Sequence, residues 1–271
     1  MRDEKKLGRF ICSISFLLWL SFLLACASAT PTPKRAPFPT LAQPQDHAHQ
    51  ALTDALAELE YDLAQARSLL VFMAKADAVR GESKSECETF IRQLLKTNPQ
   101  YTQLGAATPN GVLYCDSETR ARQVSVADRL YFSRVISEHD FVVGEYVIGR
   151  VTLAPSMGLA FPILNADKSL RGVVIAPLKL SWLAQRFSEI SIPVTGEMLV
   201  IDTYGNLLLR DPDATDWFGK NISETPIGNA MLTKIQGSGE FAGADGETRY
   251  YEFASPQAAR KNLIVAVGIK K

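Results

Sequence analysis

The chain has 271 residues, 46% of them hydrophobic, with 29 basic side chains against 29 acidic ones. That composition supports a sizeable core and excludes a disordered or fibrous chain. It also offers no basic excess to hold a phosphate backbone, so nucleic acid is not an expected partner.

Arg2, Lys5, Lys6 and Arg9 precede an uncharged run over residues 10–29, at about 20 residues long enough to cross a bilayer as a helix. Residues 1–29 therefore read as a membrane or signal segment with three possible fates. It is retained as an anchor, cleaved after the small residues Ala27-Ser28-Ala29, or processed at the lipobox-like Leu23-Leu24-Ala25-Cys26 with acylation of Cys26. Each fate puts residues 30–271 outside a bacterial cytoplasmic membrane, facing the periplasm. Cys12 and Cys26 fall in this segment, leaving Cys87 and Cys115. An oxidising compartment favours their pairing as a disulfide; two buried free thiols are the alternative.

Residues 30–45 carry Pro31, Pro33, Pro37, Pro39 and Pro44, the composition of an extended linker. Leu52, Leu56, Leu59, Leu63, Ala66, Leu70 and Met73 then recur at alternating spacings of four and three, one apolar seam along a long helix over residues 46–80. The seam from Leu52 to Leu63 is expected to lie partly outside the globular body and support a homodimer through this stalk. The C-terminal half is expected to pack on the chain's own domain.

A second helix is predicted from Ser85, with Glu88 completing a capping box, to the Asn98-Pro99 stop. Beyond it the period shortens. Residues 101–107 and 112–116 flank Pro109-Asn110-Gly111, a hairpin signal. A helix capped by Ser125 with Asp128 follows to about Ser137, then strand-like runs at 141–148, 158–164 and 170–176. A helix over 180–190 closes residues 81–190, the first module. Residues 191–271 hold a second set of strands, at 197–202, 207–210, 239–244, 248–253 and 262–268, with turns at Tyr204-Gly205-Asn206 and Asp245-Gly246. The fold class is α+β, each module a mainly antiparallel sheet with flanking helices.

Several strings in this order resemble the double-Cache family of bacterial sensors, two PAS-like modules on one long N-terminal helix. They are Asp128-Arg129-Leu130-Tyr131-Phe132, the run from Phe141 to Arg150, Ala160-Phe161-Pro162-Ile163, Gly172-Val173-Val174, and the run from Ile201 to Pro212. The resemblance covers residues 46–271. It implies that the membrane-distal module, residues 81–190, binds a small molecule, with residues 191–271 membrane-proximal. Arg129 would act as an anion clamp through its planar guanidinium. Tyr131 and Phe132 would enclose an apolar body, with Tyr146 and Arg150 reaching in from the next strand. A structural reading stands beside this: Asp128 and Arg129 as cap and ion pair, Tyr131 and Phe132 as core. Amino-acid-binding members of the family carry an upstream Tyr, a Trp in the aromatic pair and a late-strand Asp for the ligand ammonium. Here those places hold Val124, Tyr131 and Pro177. The departure makes a carboxylate or another small metabolite the expected ligand and an amino acid an unexpected one.

Catalytic groups are sparse. His139 is the one histidine beyond the stalk, and no nucleophile elbow, phosphate loop or His-Glu-x-x-His is present. Asp46-His47-Ala48-His49 could bind a metal, but at a linker-to-helix junction it reads as a solvated helix start. The expectation is a sensor without enzymatic activity, metal or organic cofactor, belonging to a kinase, cyclase or chemotaxis protein whose output domain is not in this chain. An exported lipoprotein that binds a ligand for transport or scavenging is the alternative.

Overall fold

A computed structural model describes residues 43–118 and 123–271, so the segment 1–29, with Cys12 and Cys26, and nearly all of the linker lie outside the described residues. No helix among the described residues is long and apolar enough to cross a membrane.

The stalk helix α1 spans Pro44–Lys75, starting where the fixed φ of Pro44 at the first helical position suits it, and not at Asp46. Asp46 instead accepts from the Gln43 amide at 3.0 Å. The helix also ends earlier than its pattern suggests. Ala76 turns extended (φ −68, ψ 131), and a single turn, α2 (Asp77–Arg80), resumes beyond it. Next, α3 (Lys84–Thr97) is capped two residues earlier than expected, because Ser83, not Ser85, accepts from the Glu86 amide at 3.4 Å.

The first sheet contains β1 (Gly105–Ala107) and β2 (Leu113–Asp116), then, after helix α4 (Leu130–Glu138), β3 (Val142–Ile148), β4 (Pro155–Leu164), β5 (Leu170–Ile175) and the short β6 (Leu178–Lys179), which leads into α5 (Leu180–Phe187). The second contains β7 (Glu197–Asp202) and β8 (Leu207–Asp211), then, after α6 (Ala214–Trp217) and α7 (Pro226–Lys234), β9 (Gly237–Ala242), β10 (Thr248–Ala254) and β11 (Leu263–Ile269). Neither α6 nor α7 was expected, although Thr225 followed by Pro226 is a legible helix start and Thr225 does accept from the Gly228 amide at 3.1 Å.

The strand orders are β2-β1-β5-β4-β3, with β6 beside β4, and β8-β7-β11-β10-β9. They are one topology used twice, a hairpin whose first strand pairs with the last long strand of the module, β5 in the first and β11 in the second. The repeat extends to single hydrogen bonds. Val126 donates to the Gly111 carbonyl at 2.7 Å in the first module, and Ile222 to that of Gly205 at 2.9 Å in the second. Leu113 donates to Val124 at 2.9 Å, and Leu207 to Lys220 at 2.8 Å. Both turn glycines have positive φ, +80 and +79, which a residue with Cβ reaches only under strain. The following helices, α4 and α7, each have 9 residues.

Helix α1 lies across both sheets, on β4 and β5 of the first and β10 and β11 of the second. Its seam joins Leu159, Val174, Val265 and Val267 in one core, while α4 and α7 cover the opposite faces. The expectation of a seam partly outside the body is thereby corrected: Leu52 is 4% exposed and Leu59 and Leu63 are 0%. The apolar stripe meets the chain's own sheets, with Ala48, Ala51, Ala55 and Ala66 allowing close approach, and is not available to a second copy. Cys87 on α3 and Cys115 on β2 are bonded, tying helix to hairpin.

Candidate functional site

In the first module, which the resemblance places distal to the membrane and the second proximal, the start of α4, the segment leading into β1 and the end of β3 line a cavity of about 20 Å³, room for about one water molecule. The local sequence led to a different helix start. Ser125 takes the Ala127 amide at 3.2 Å and α4 begins at Leu130, whose amide donates to the Glu145 carboxylate on β3 at 3.2 Å. A carboxylate from across the sheet thus does the capping that Ser125 was expected to do. Burial pushes the Glu145 carboxyl above its ordinary value.

Arg129, at the helix start, donates from Nη2 to the Ile148 carbonyl at 3.0 Å and borders the cavity. Arg150, just beyond β3, pairs with Asp128 and donates to the Ser125 carbonyl. The hydrogen bond from Arg150 to Asp128 is the main reason the Asp128 carboxyl titrates below its usual range. Asp128 therefore serves Arg150, not Arg129. The Tyr131 ring is buried in the wall, where Gly144 and Gly158 leave it room; a Cβ on Gly158 would stand 2.3 Å from its Cδ1. Burial holds its phenol well above the ordinary tyrosine value. Val124 and Pro177, the other two places where the sequence departs from the amino-acid-binding pattern, also line the cavity.

Two expected site residues lie elsewhere. Phe132 is buried in the core beneath α4 with Val135 and Val142. Tyr146 sits at the junction of the modules, its amide donating to Asp202 at 3.1 Å and its ring against Gly219.

Sequence reasoning missed Gln103. Its side chain is buried in the cavity wall, and Oε1 has no hydrogen-bond partner. The repeat shows how unusual that is. Gln103 stands eight residues before Gly111 and Glu197 eight before Gly205, so they are equivalent. In the proximal module Glu197, 0% exposed, accepts from Arg210 Nε at 3.0 Å, from Arg249 Nη1 at 3.3 Å and from the Tyr251 hydroxyl. Asp245 completes that cluster, bound by both guanidinium groups at 2.8–2.9 Å. One module fills this place with its own charges; the other leaves an acceptor unmatched in the wall of a cavity that Arg129 and Arg150 also line.

No group of three or more His, Cys, Asp or Glu placed to hold a metal occurs among the described residues. His49, from the Asp46-His47-Ala48-His49 stretch, pairs with Glu252 on β10 at 2.9 Å.

Two antiparallel sheets of one topology on a common helix define a PAS-like, sensor-type fold. A family model for the Cache domain matches residues 40–271, and the chain belongs to that family as a double-Cache sensor domain. Among solved structures, the extracellular domain of rpHK1S-Z16, assigned as a histidine kinase, superposes with a TM-score of 0.74 at 17% identity, over 85% of this chain and 96% of that one. The ligand-binding domain of the Pseudomonas aeruginosa PAO1 amino-acid chemoreceptor PctB, in complex with L-Arg, gives 0.66 at 17% identity over 82% and 93%. The ligand-binding domain of Mlp24 with asparagine gives 0.62 at 15% identity over 84% and 92%. At these identities the likeness is one of fold. No curated protein matches the sequence.

Proposed function

We propose that this chain is the extracytoplasmic sensing part of a bacterial transmembrane signalling protein. Residues 10–29 would hold it in the membrane, and the distal cavity would bind a small carboxylate that also carries an N–H or O–H donor. Output would pass to a domain or partner outside this sequence, and the chain itself would carry out no catalysis. The observation that carries the reading is the unpaired Gln103 Oε1 in the wall of a cavity that Arg129 and Arg150 also line. A carboxylate answers the guanidinium fork, and a donor on the same ligand answers the amide oxygen.

This revises the expectation that disfavoured amino acids. PctB and Mlp24 are solved with L-Arg, L-Gln and asparagine, which counts against excluding that class. The missing late-strand carboxylate at Pro177 leaves Gln103 as an acceptor from another strand. A neutral amide accepts equally from an ammonium or a hydroxyl, so α-amino and α-hydroxy acids are both in scope. Because the cavity is small, entry requires the rim formed by Arg150, Asp128 and Ser125 to open.

The test is calorimetric titration of the full chain in detergent with L-amino acids and their α-hydroxy counterparts. Arg129→Ala should weaken the best ligand by about 2–4 kcal/mol, and Arg129→Lys should restore part of it. Unchanged affinity in Arg129→Ala would remove this arginine from the site and overturn the reading.

A further inference from the structure

A larger cleft, about 670 Å³, opens on the other side of the distal sheet, between α1, the segment around Tyr101 and α5. Tyr61, Gln65, Leu69 and Phe72 recur every three or four residues along α1 and form one wall, clear of the buried seam. Tyr61 and Phe72 are 58% and 53% exposed, and Trp182 from α5 faces them across the cleft.

Three polar atoms of this lining are buried and without a hydrogen-bond partner: Asp62 Oδ2, Trp182 Nε1 and Arg186 Nε. Among the described residues the full set of such atoms has two more, on Arg92 and Gln103, so they concentrate here. Such atoms cost free energy in a folded protein unless something pairs with them. Charge adds a direction. Arg186 gives its Nη2 to Glu58, and its charge only partly offsets the burial of the Asp62 carboxylate. Burial disfavours its charged form, and a cation beside it would restore that form. An aromatic wall next to a carboxylate that Arg186 only partly compensates favours an organic cation, while the indole and guanidinium N–H groups call for an acceptor.

We propose that this cleft is a second ligand site, separate from the distal cavity, for a small organic ammonium with a flat apolar body and a hydrogen-bond acceptor oxygen. The proposal does not depend on what the distal cavity binds.

The experiment labels the full chain in detergent with 5-fluorotryptophan and follows the Trp182 signal, assigned through Trp182→Phe, during titration. L-Phenylalaninamide supplies cation, ring and carbonyl; phenethylammonium lacks the carbonyl; 3-phenylpropanamide lacks the cation. Phenylalaninamide should shift the signal saturably with a Kd near or below about 1 mM, and each truncated compound should bind about tenfold more weakly. Asp62→Asn should weaken phenylalaninamide by about tenfold or more while 3-phenylpropanamide is unaffected. Should Asp62→Asn fail to fold, Trp182→Phe keeps the wall and loses the N–H, and by calorimetry phenylalaninamide and phenethylammonium should then converge. No shift below about 10 mM, equal binding of 3-phenylpropanamide, or no effect of either variant would overturn the proposal. So would self-association that Phe72→Asp abolishes in a chain that binds no amine, which would make the stripe a surface between copies.

Discussion

The Tyr146 amide, on β3 of the distal module, donates to the carboxylate of Asp202, at the end of β7 in the proximal module, at 3.1 Å. Asp202 is 1% exposed and also accepts from the Tyr204 amide at 2.9 Å and from the amide and side chain of Asn206 at 3.0 Å. One buried carboxylate thus shapes the proximal hairpin turn and fastens it to the strand that runs into Arg150.

Asp202→Ala leaves three main-chain donors without their acceptor. The expected cost is about 3 kcal/mol, read as a fall in melting temperature of roughly 10 °C by circular dichroism. A fall below about 2 °C would show that the junction is held by apolar packing alone.

Gln103 and Glu197, equivalent in the repeat, should respond in opposite ways. Gln103→Leu removes an unsatisfied buried acceptor, so the ligand-free protein should melt at the same temperature or higher. The same variant should bind the distal ligand about tenfold more weakly. Glu197→Leu removes one of the two carboxylates that hold Arg210 and Arg249, leaves the buried Tyr251 hydroxyl without its acceptor, and should destabilise the fold by about 3 kcal/mol. Equal losses of stability in both variants would remove the basis for treating Gln103 as a ligand group.

Acid should act on the proximal cluster. The hydrogen bonds from Arg249, aided by Arg210, hold the Asp245 carboxyl well below the ordinary carboxylate range. A depressed folded-state value stabilises the protein above the unfolded value and is lost as pH falls through the folded one. Glu145, Asp62 and Asp211 are shifted upward by burial and work in the opposite sense, so the comparison must be between variants. At pH 7, Asp245→Asn should be less stable than the parent by about 2 kcal/mol. That gap should narrow as pH falls below about 4. A gap that stays constant from pH 7 to pH 2 would exclude the ion pair as its cause.

The seam of α1 makes a further testable statement. Leu59 is fully buried against the chain's own core, so Leu59→Ala should cost about 2–5 kcal/mol by denaturant melts. The loss should not vary with protein concentration, because no second copy is needed to bury this side chain. A cost that appears only at concentrations where the chain self-associates would return the seam to a dimer interface.

Period and turn chemistry were legible in the sequence because they are local. The four-three spacing of leucines marks α1, Asn110-Gly111 and Gly205 mark the hairpins through positive φ, and the exported context of Cys87 and Cys115 marks their bond. Of the residues that the family-like string and the next strand put forward, Arg129, Tyr131 and Arg150 line one cavity. Tertiary structure decided which partner each group found. The seam turned inward because two sheets of the same chain offer it more apolar surface than solvent does. Helix α4 starts at Leu130 because Glu145, distant in sequence, outcompetes Ser125 for its first amides. Phe132 went to the core and Tyr146 to the junction. The repeat itself is carried by backbone hydrogen bonds such as Val126 to Gly111 and Ile222 to Gly205, which many residue types can make. Gln103 and Glu197 therefore share a place without sharing a neighbourhood, and whether a buried polar atom finds a partner is settled only when distant strands are brought together.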